Sequence, residues 1–155
     1  MSETIAVRPA MKADAEWLAT RLRSQDRDEI YAVTGSGPLP VLREGVAASR
    51  PCFAVTGSDG ELLALFGVLP RERGRGKVWL LGTSGLLLRR FSVARSSRKW
   101  IDVLHRDYPT LWNYVDARNE AHIRWLKWCG FHFAGTVEDF GFERRRFYFV
   151  EKTAG

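Results

Sequence analysis

With 155 residues, 45% of them hydrophobic, the chain has the length of one ordinary domain, expected over 1–155, and enough apolar material for a continuous core. Its 24 Lys and Arg against 18 Asp and Glu leave a net charge of +6, which favours an anionic partner (nucleotide cofactor, nucleic acid or acidic protein surface) without choosing among them. No apolar stretch approaches the ~20 residues that span a bilayer, the opening MSETIAVRPAMKAD is charged where a secretory leader is apolar, and Cys52 and Cys129 match no metal-ligand spacing; a cytoplasmic protein with no metal and no membrane contact is expected.

In chain order, Thr4 to Arg8 reads as a β-branched strand closed by Pro9, and Trp17, Leu18 and Leu22 predict an amphipathic helix from about Lys12 to Arg23. The run TGSGPLP from Thr34 to Pro40 is turn material, followed by a short helix from Val41 to Ala48. After Pro51, CFAVTGSDGELLALFGVL reads as two strands joined by a tight Gly57 to Gly60 turn. A third strand, Lys77 to Leu81, comes after the loop PRERGRG. A long helix from about Leu86 to Tyr108 follows, ended by Pro109, with Leu87, Phe91, Ala94, Ile101 and Leu104 as its buried stripe. Leu111 to Asp116 is strand-like, Glu120 to Trp128 helical, and Phe131 to Val137 and Arg146 to Glu151 strand-like again. The order is β-α-α-β-β-β-α-β-α-β-β, an α/β (α+β) arrangement.

The segment YVDARNEAHIRWLKWCGFHFAG resembles the signature V-x-x-x-N-x-x-A-x-x-L-Y-x-x-x-G-F-x-x-x-G of the GNAT superfamily, the Gcn5-related N-acetyltransferases, with Val115, Asn119, Gly130, Phe131 and Gly135 in register. The residues make physical sense unaided: a buried strand ends at Val115, Asn119 caps a helix, and Gly130 ends that helix in a left-handed turn. VRPAMKADAEWL is similar to the family's opening, with Arg8, Ala10, Asp14, Ala15 and Leu18 matching, and the element order agrees with GNAT topology. The resemblance implies a mixed, mostly antiparallel sheet of about seven strands with flanking helices. The style of WNYVDARNEAHIRWLKWCGF and of the WLLGT strand is most similar to the GNAT-like proteins of tailed phages, which places the protein in a host cytoplasm or a virion.

What the resemblance implies chemically is acetyl-CoA as cosubstrate, held between the fourth and fifth strands, and an amine on a protein or small molecule as acceptor. Trp79, Leu80 and Leu81 are the backbone donors for the thioester carbonyl, and Asn119 reaches the cofactor arm. The family's phosphate loop, Q/R-x-x-G-x-G/A, is replaced by GTSGLLLRR, leaving Thr83, Ser84, Gly85, Arg89 and Arg90 as a shortened grip. The literal Arg71 to Gly76 match precedes a strand and reads as a hairpin loop. Leu126 stands where the family has the tyrosine that protonates the thiolate, with Tyr114 and Cys129 as substitutes. Glu29, Glu44 and Asp116 are candidate bases, and His122 replaces a small residue and crowds the cleft. The acceptor region is assigned to SQDRDEIYAVTGSGPLP and EDFGFERRR.

Two other classes compete with the enzyme. One is a binding module that has lost its catalytic positions and engages a host protein or the virion. The other is nucleic-acid binding through RRFSVARSSRK and RWLKW, where basic residues alternate with aromatics; helical spacing assigns Phe91 and Trp125 to the core and disfavours it.

Overall fold

The computed structural model describes residues 4–155. Its elements are β1 (Ile5–Pro9), α1 (Lys12–Ala19), α2 (Ser24–Thr34), α3 (Leu39–Ala48), β2 (Cys52–Gly57), β3 (Leu62–Pro70), β4 (Arg75–Gly82), α4 (Gly85–Leu88), α5 (Arg90–Leu104), β5 (Thr110–Asp116), α6 (Glu120–Trp128), β6 (His132–Phe140) and β7 (Arg145–Thr153). Seven strands form one sheet in the order β1-β2-β3-β4-β5-β7-β6, antiparallel except for the β4/β5 pair. The mixed, mostly antiparallel seven-stranded sheet is therefore as the sequence predicts.

Two helical regions differ from the sequence reading. The stretch between the predicted first helix and the Thr34 to Pro40 turn, left unassigned by the sequence, is the eleven-residue helix α2, and the long helix after β4 breaks at Arg89 into a four-residue turn, α4, and α5. The break rotates the helix surface: Leu87 and Phe91 lie 62% and 56% exposed instead of in the core, and the buried stripe is Leu86, Ile101 and Leu104.

Each sheet face carries its own core. Alternation along β2 to β4 sends Leu65 and Leu81 to a cluster with Leu18 and Leu42 of α1 and α3, and sends Phe66, Val78 and Leu80 to a cluster with Ile101, Leu104 and Leu126 of α5 and α6. At about 25 cal/mol per Å² of apolar surface buried, these clusters are the main stabilising term.

Polar contacts fix the ends of the frame. Arg8 forks onto the Asp14 carboxylate at 2.9 Å with both nitrogens, and Asp14 also accepts the Met11 N–H at 2.7 Å, capping α1. The Asn119 side chain accepts the His122 N–H at 3.1 Å, and Gly130 ends α6 at φ +87°, as the sequence predicts. Gly141, at φ +73°, lies so close to α2 that a Cβ there would stand 2.7 Å from the Ala32 carbonyl oxygen. That close approach seats the β6–β7 turn on the end of α2, where Phe142 and Glu143 donate their N–H groups to Val33 and Ala32.

Candidate functional site

The parallel β4/β5 pairing lasts only from Arg75↔Thr110 to Lys77↔Trp112, beyond which the strands diverge. At the point of divergence the buried Asn113 carboxamide takes over from the ladder, donating to the Val78 carbonyl at 2.7 Å and accepting the Tyr114 N–H at 2.6 Å. On one side of the gap, under α2 and α3, opens a cleft of about 290 Å³. The two segments assigned to the acceptor region meet at its rim, through the contacts of Val33 and Ala32 with the β6–β7 turn.

Strand alternation decides which of the three predicted donors faces the gap. Thr83 donates to Leu63 of β3, whereas Val78 and Gly82 make their contacts on the β5 side. Residues 78, 80 and 82 therefore point their N–H and C=O groups toward the gap, and Trp79 and Leu81 point theirs at β3. Leu80 alone of the three is oriented to meet a carbonyl in the gap. The Trp79 side chain instead walls the cleft, its indole donating to Ser49 at 2.8 Å and packing flat on Gly45, where a Cβ would come within 2.8 Å of the ring.

The open end of the gap is closed by a polar seam from α2. Asp26, 1% exposed, accepts from the Gly82 N–H of β4 (3.0 Å), from the Asn119 amide beyond β5 (3.0 Å) and from Arg23 Nε (2.8 Å). Glu29 lies one turn further along the same helix. It accepts from the Asp116 N–H at 3.0 Å and from Asn119 at 3.2 Å, and its second oxygen stands 3.8 Å from His122 Nδ1. Asn119 thus uses both amide protons and one acceptor position within the protein. His122 Nδ1 is buried with no hydrogen-bond partner. α2 escapes sequence reading because its inward face mixes the carboxylates Asp26 and Glu29 with Ile30 and Ala32 and so forms no continuous apolar stripe.

The other candidates divide. Tyr114 lines the cleft, stacked on Phe140 at 4.8 Å between centroids, and its hydroxyl has no partner among the described residues. Glu44 and Lys77 also line it. Burial holds the Lys77 amine below the ordinary lysine range; Arg71 adds to this, and Glu29 and Glu44 oppose it. Asp116 does not line the cleft; it is 1% exposed and paired with Arg118 at 2.7 Å. Cys129 lies in the core beneath α5 and α6, where burial pushes its thiol up to about 12, and Leu126 is fully buried beside it.

Of the predicted anion grip, Thr83, Gly85 and Arg89 make bonds within the protein. Two residues, Thr83 and Ser84, separate β4 from α4. The Thr83 hydroxyl donates to Leu63 and accepts the Gly85 N–H at 3.1 Å. Arg89 turns away to Glu61 on the β2–β3 hairpin at 2.8 Å, and Arg90 lies over the Phe91 ring. Across the gap from the cleft, α5 and α6 are stitched together: Trp125 donates to Ser97 at 2.8 Å, and Arg98 donates to the Trp128 carbonyl at 3.0 Å while stacking on its ring. The acyl end of acetyl-CoA would fit at Leu80. Its diphosphate and the arm leading to it do not fit the loop, the seam or the joined helices as they stand.

Residues 71–137 match a family model described as Bacteriophage T7, probable scaffold protein Gp13. No curated protein sequence matches the chain. Solved structures do. An acetyltransferase of the GNAT family from Streptococcus pneumoniae superposes with a TM-score of 0.65 at 16% identity, covering 98% of this chain and 100% of that one. Ard1 from Thermoplasma volcanium gives 0.71 at 16% identity, over 97% and 98%. Spermidine N-acetyltransferase from Vibrio cholerae in complex with CoA and spermine gives 0.70 at 9% identity, over 98% and 96%. Likeness at such low identity reaches as far as the backbone architecture and no further: this chain is folded as the GNAT acetyltransferases are.

Proposed function

We propose that this chain is a GNAT-fold binding protein of phage type, working in a host cytoplasm or a virion, that acts by engaging other macromolecules rather than by turning over acetyl-CoA. The observation that carries the reading is the polar seam. Asp26 ties Gly82 of β4 to Asn119 beyond β5, across the opening a cofactor arm would have to enter. The two-residue β4–α4 loop and the Arg89–Glu61 pair support it, because neither leaves backbone donors and a guanidinium gathered around one anion. The partial match to a probable scaffold protein family agrees with an assembly role.

Acetyl-CoA tests this by mass action. A ligand bound a hundredfold below its concentration stabilises by about 2.7 kcal/mol, which raises the Tm of a chain this size by roughly 5–11 °C. The expected result at millimolar acetyl-CoA is an unchanged Tm; a rise of several degrees overturns the proposal.

A second reading, acyl transfer from acetyl-CoA to an amine, is favoured by one feature: Leu80 faces the strand gap beside a cleft that holds Tyr114, Glu29 and Glu44. It requires the seam to open. Thiol release from acetyl-CoA with mixed amines present is its signature.

A further inference from the structure

The basic and aromatic run RRFSVARSSRK and the segment RWLKW come together in space. α5 and α6 lie side by side on one sheet face, joined by the Trp125–Ser97 and Arg98–Trp128 contacts. Phe91 and Trp128 are exposed, 56% and 43%, and each carries a guanidinium: Arg90 stands 4.8 Å from the Phe91 ring centroid, and Arg98 3.8 Å from that of Trp128. The assignment of Phe91 to the core, which disfavoured nucleic acid, is thereby removed.

The charges on this face are free. Arg8, Arg23, Arg43, Arg89, Arg118, Arg145 and Arg146 all hold a carboxylate within 4 Å. Among the described residues none of Arg90, Arg95, Arg98, Lys99, Arg124 and Lys127 does, and all six are exposed. Asp102 and Glu120 are the carboxylates on the same two helices. Six cations without a carboxylate partner thus share this one face, whereas Lys12, Arg21, Arg27, Arg50, Arg71, Arg73, Lys77, Arg106 and Lys152, which also lack one among the described residues, are spread over other elements and loops.

We infer that the α5–α6 face binds nucleic acid through its phosphate backbone. The fifteen residues of α5 extend about 22 Å, and cations spread over that length beside a second helix match a continuous array of phosphates. A bilayer is a poorer match. Among the described residues the large apolar side chains exposed on α5 and α6 are Phe91 and Trp128, one on each helix, so no apolar stripe runs along either to bury among headgroups. An acidic peptide is also a poorer match, since it would have to present charges across both helices at once. The face lies away from the α2–α3 cleft, so the inference stands or falls independently of what the cleft binds.

The test is the fluorescence anisotropy of a labelled 20-base-pair DNA duplex titrated with the full chain from 50 to 200 mM NaCl. Four to six phosphate contacts give a slope of log affinity against log salt between about −3.5 and −5.5, a loss of about a hundred- to two-thousandfold across that range. R95E/K99E removes two contacts and shallows the slope by about two, and R124E/K127E does the same from α6. K12E/R21E changes the charge equally at the start of α1 and in the turn after it, on the other sheet face, and leaves affinity within about threefold. An unchanged Tm confirms that each exposed variant folds. No binding at 50 mM salt overturns the inference, as does an equal loss in K12E/R21E. Phosphatidylserine vesicles or polyglutamate binding as tightly as the duplex would overturn it too.

Discussion

Removing the Asp26 carboxylate tests whether the seam across the β4/β5 gap is structural. Asp26→Ala withdraws one acceptor from three donors at once: the Gly82 N–H, the Asn119 amide and Arg23 Nε, all at 2.8–3.0 Å and none with ready access to water. A buried donor left without a partner costs about 1–3 kcal/mol. The three losses are not additive, because Glu29 remains beside Asn119. Against that, Arg23 Nη2 is already buried without a partner, so its guanidinium would become a nearly unanswered buried charge. Breaking a buried charge pair of this kind costs about 3–5 kcal/mol. The expected fall in Tm is roughly 6–20 °C. Asp26→Asn keeps the shape and one carbonyl acceptor but turns an N–H toward a donor, for an expected cost of about 1–3 kcal/mol. Urea melts monitored by far-UV circular dichroism measure both, with the m-value unchanged if only the native state is affected. Asp28→Ala, an exposed carboxylate on the same helix, is the control. A cost for Asp26→Ala below about 1 kcal/mol, or equal to that of Asp28→Ala, would refute the seam.

Two further outcomes follow from the groups whose protonation the fold shifts. Burial pushes Cys52 up to about 11 and Cys129 up to about 12, so at pH 8 both are thiols; Ellman's reagent should react slowly in buffer and label both at once in 6 M guanidinium. For Asp14, burial favours the neutral acid, but the Arg8 fork and the Met11 N–H outweigh it and hold the carboxyl below its ordinary value. A lowered folded pKa means stability present above about pH 4 and lost as the pH falls through the folded value. Asp14→Asn keeps an acceptor for the Met11 N–H but loses the charge-assisted bonds to the partly exposed Arg8, so it should melt lower than wild type at pH 7 by about 1 kcal/mol, with the gap closing as the pH falls through the lowered pKa of the folded Asp14 in a Tm series; a gap constant with pH contradicts the ion-pair account.

Legibility tracked how each element is encoded. The β2–β3 hairpin, β5, α6 with its Asn119 cap, and the Gly130 turn carry their instructions locally, in alternation, turn residues and capping groups, and they appear within a residue or two of expectation. Helix α2 was invisible because hydrophobic periodicity finds helices by their apolar stripe, and the inward face of α2 carries Asp26 and Glu29, whose partners lie some 56 to 93 positions along the chain. The α4–α5 break was missed for a related reason. The stripe predicted from Leu87 through Phe91 assumes one unbroken helix, whereas the turn at Arg89 leaves Leu86 inside and Leu87 and Phe91 exposed.

The residues of the cleft divide in the same way. Val115, Asn119 and Gly130 at fixed spacing, with the order of strands and helices, carried the resemblance that implied the GNAT architecture, since capping, turn and core patterns are properties of neighbouring residues. Whether the strand gap is open, which of Trp79, Leu80 and Leu81 faces it, where Arg89 points and whether Phe91 is core or surface were decided only in three dimensions. Each depends on which distant group reaches a side chain first: Asp26 before a cofactor amide, Glu61 before a phosphate. That competition among hydrogen-bond and ion partners is a property of the packed tertiary structure.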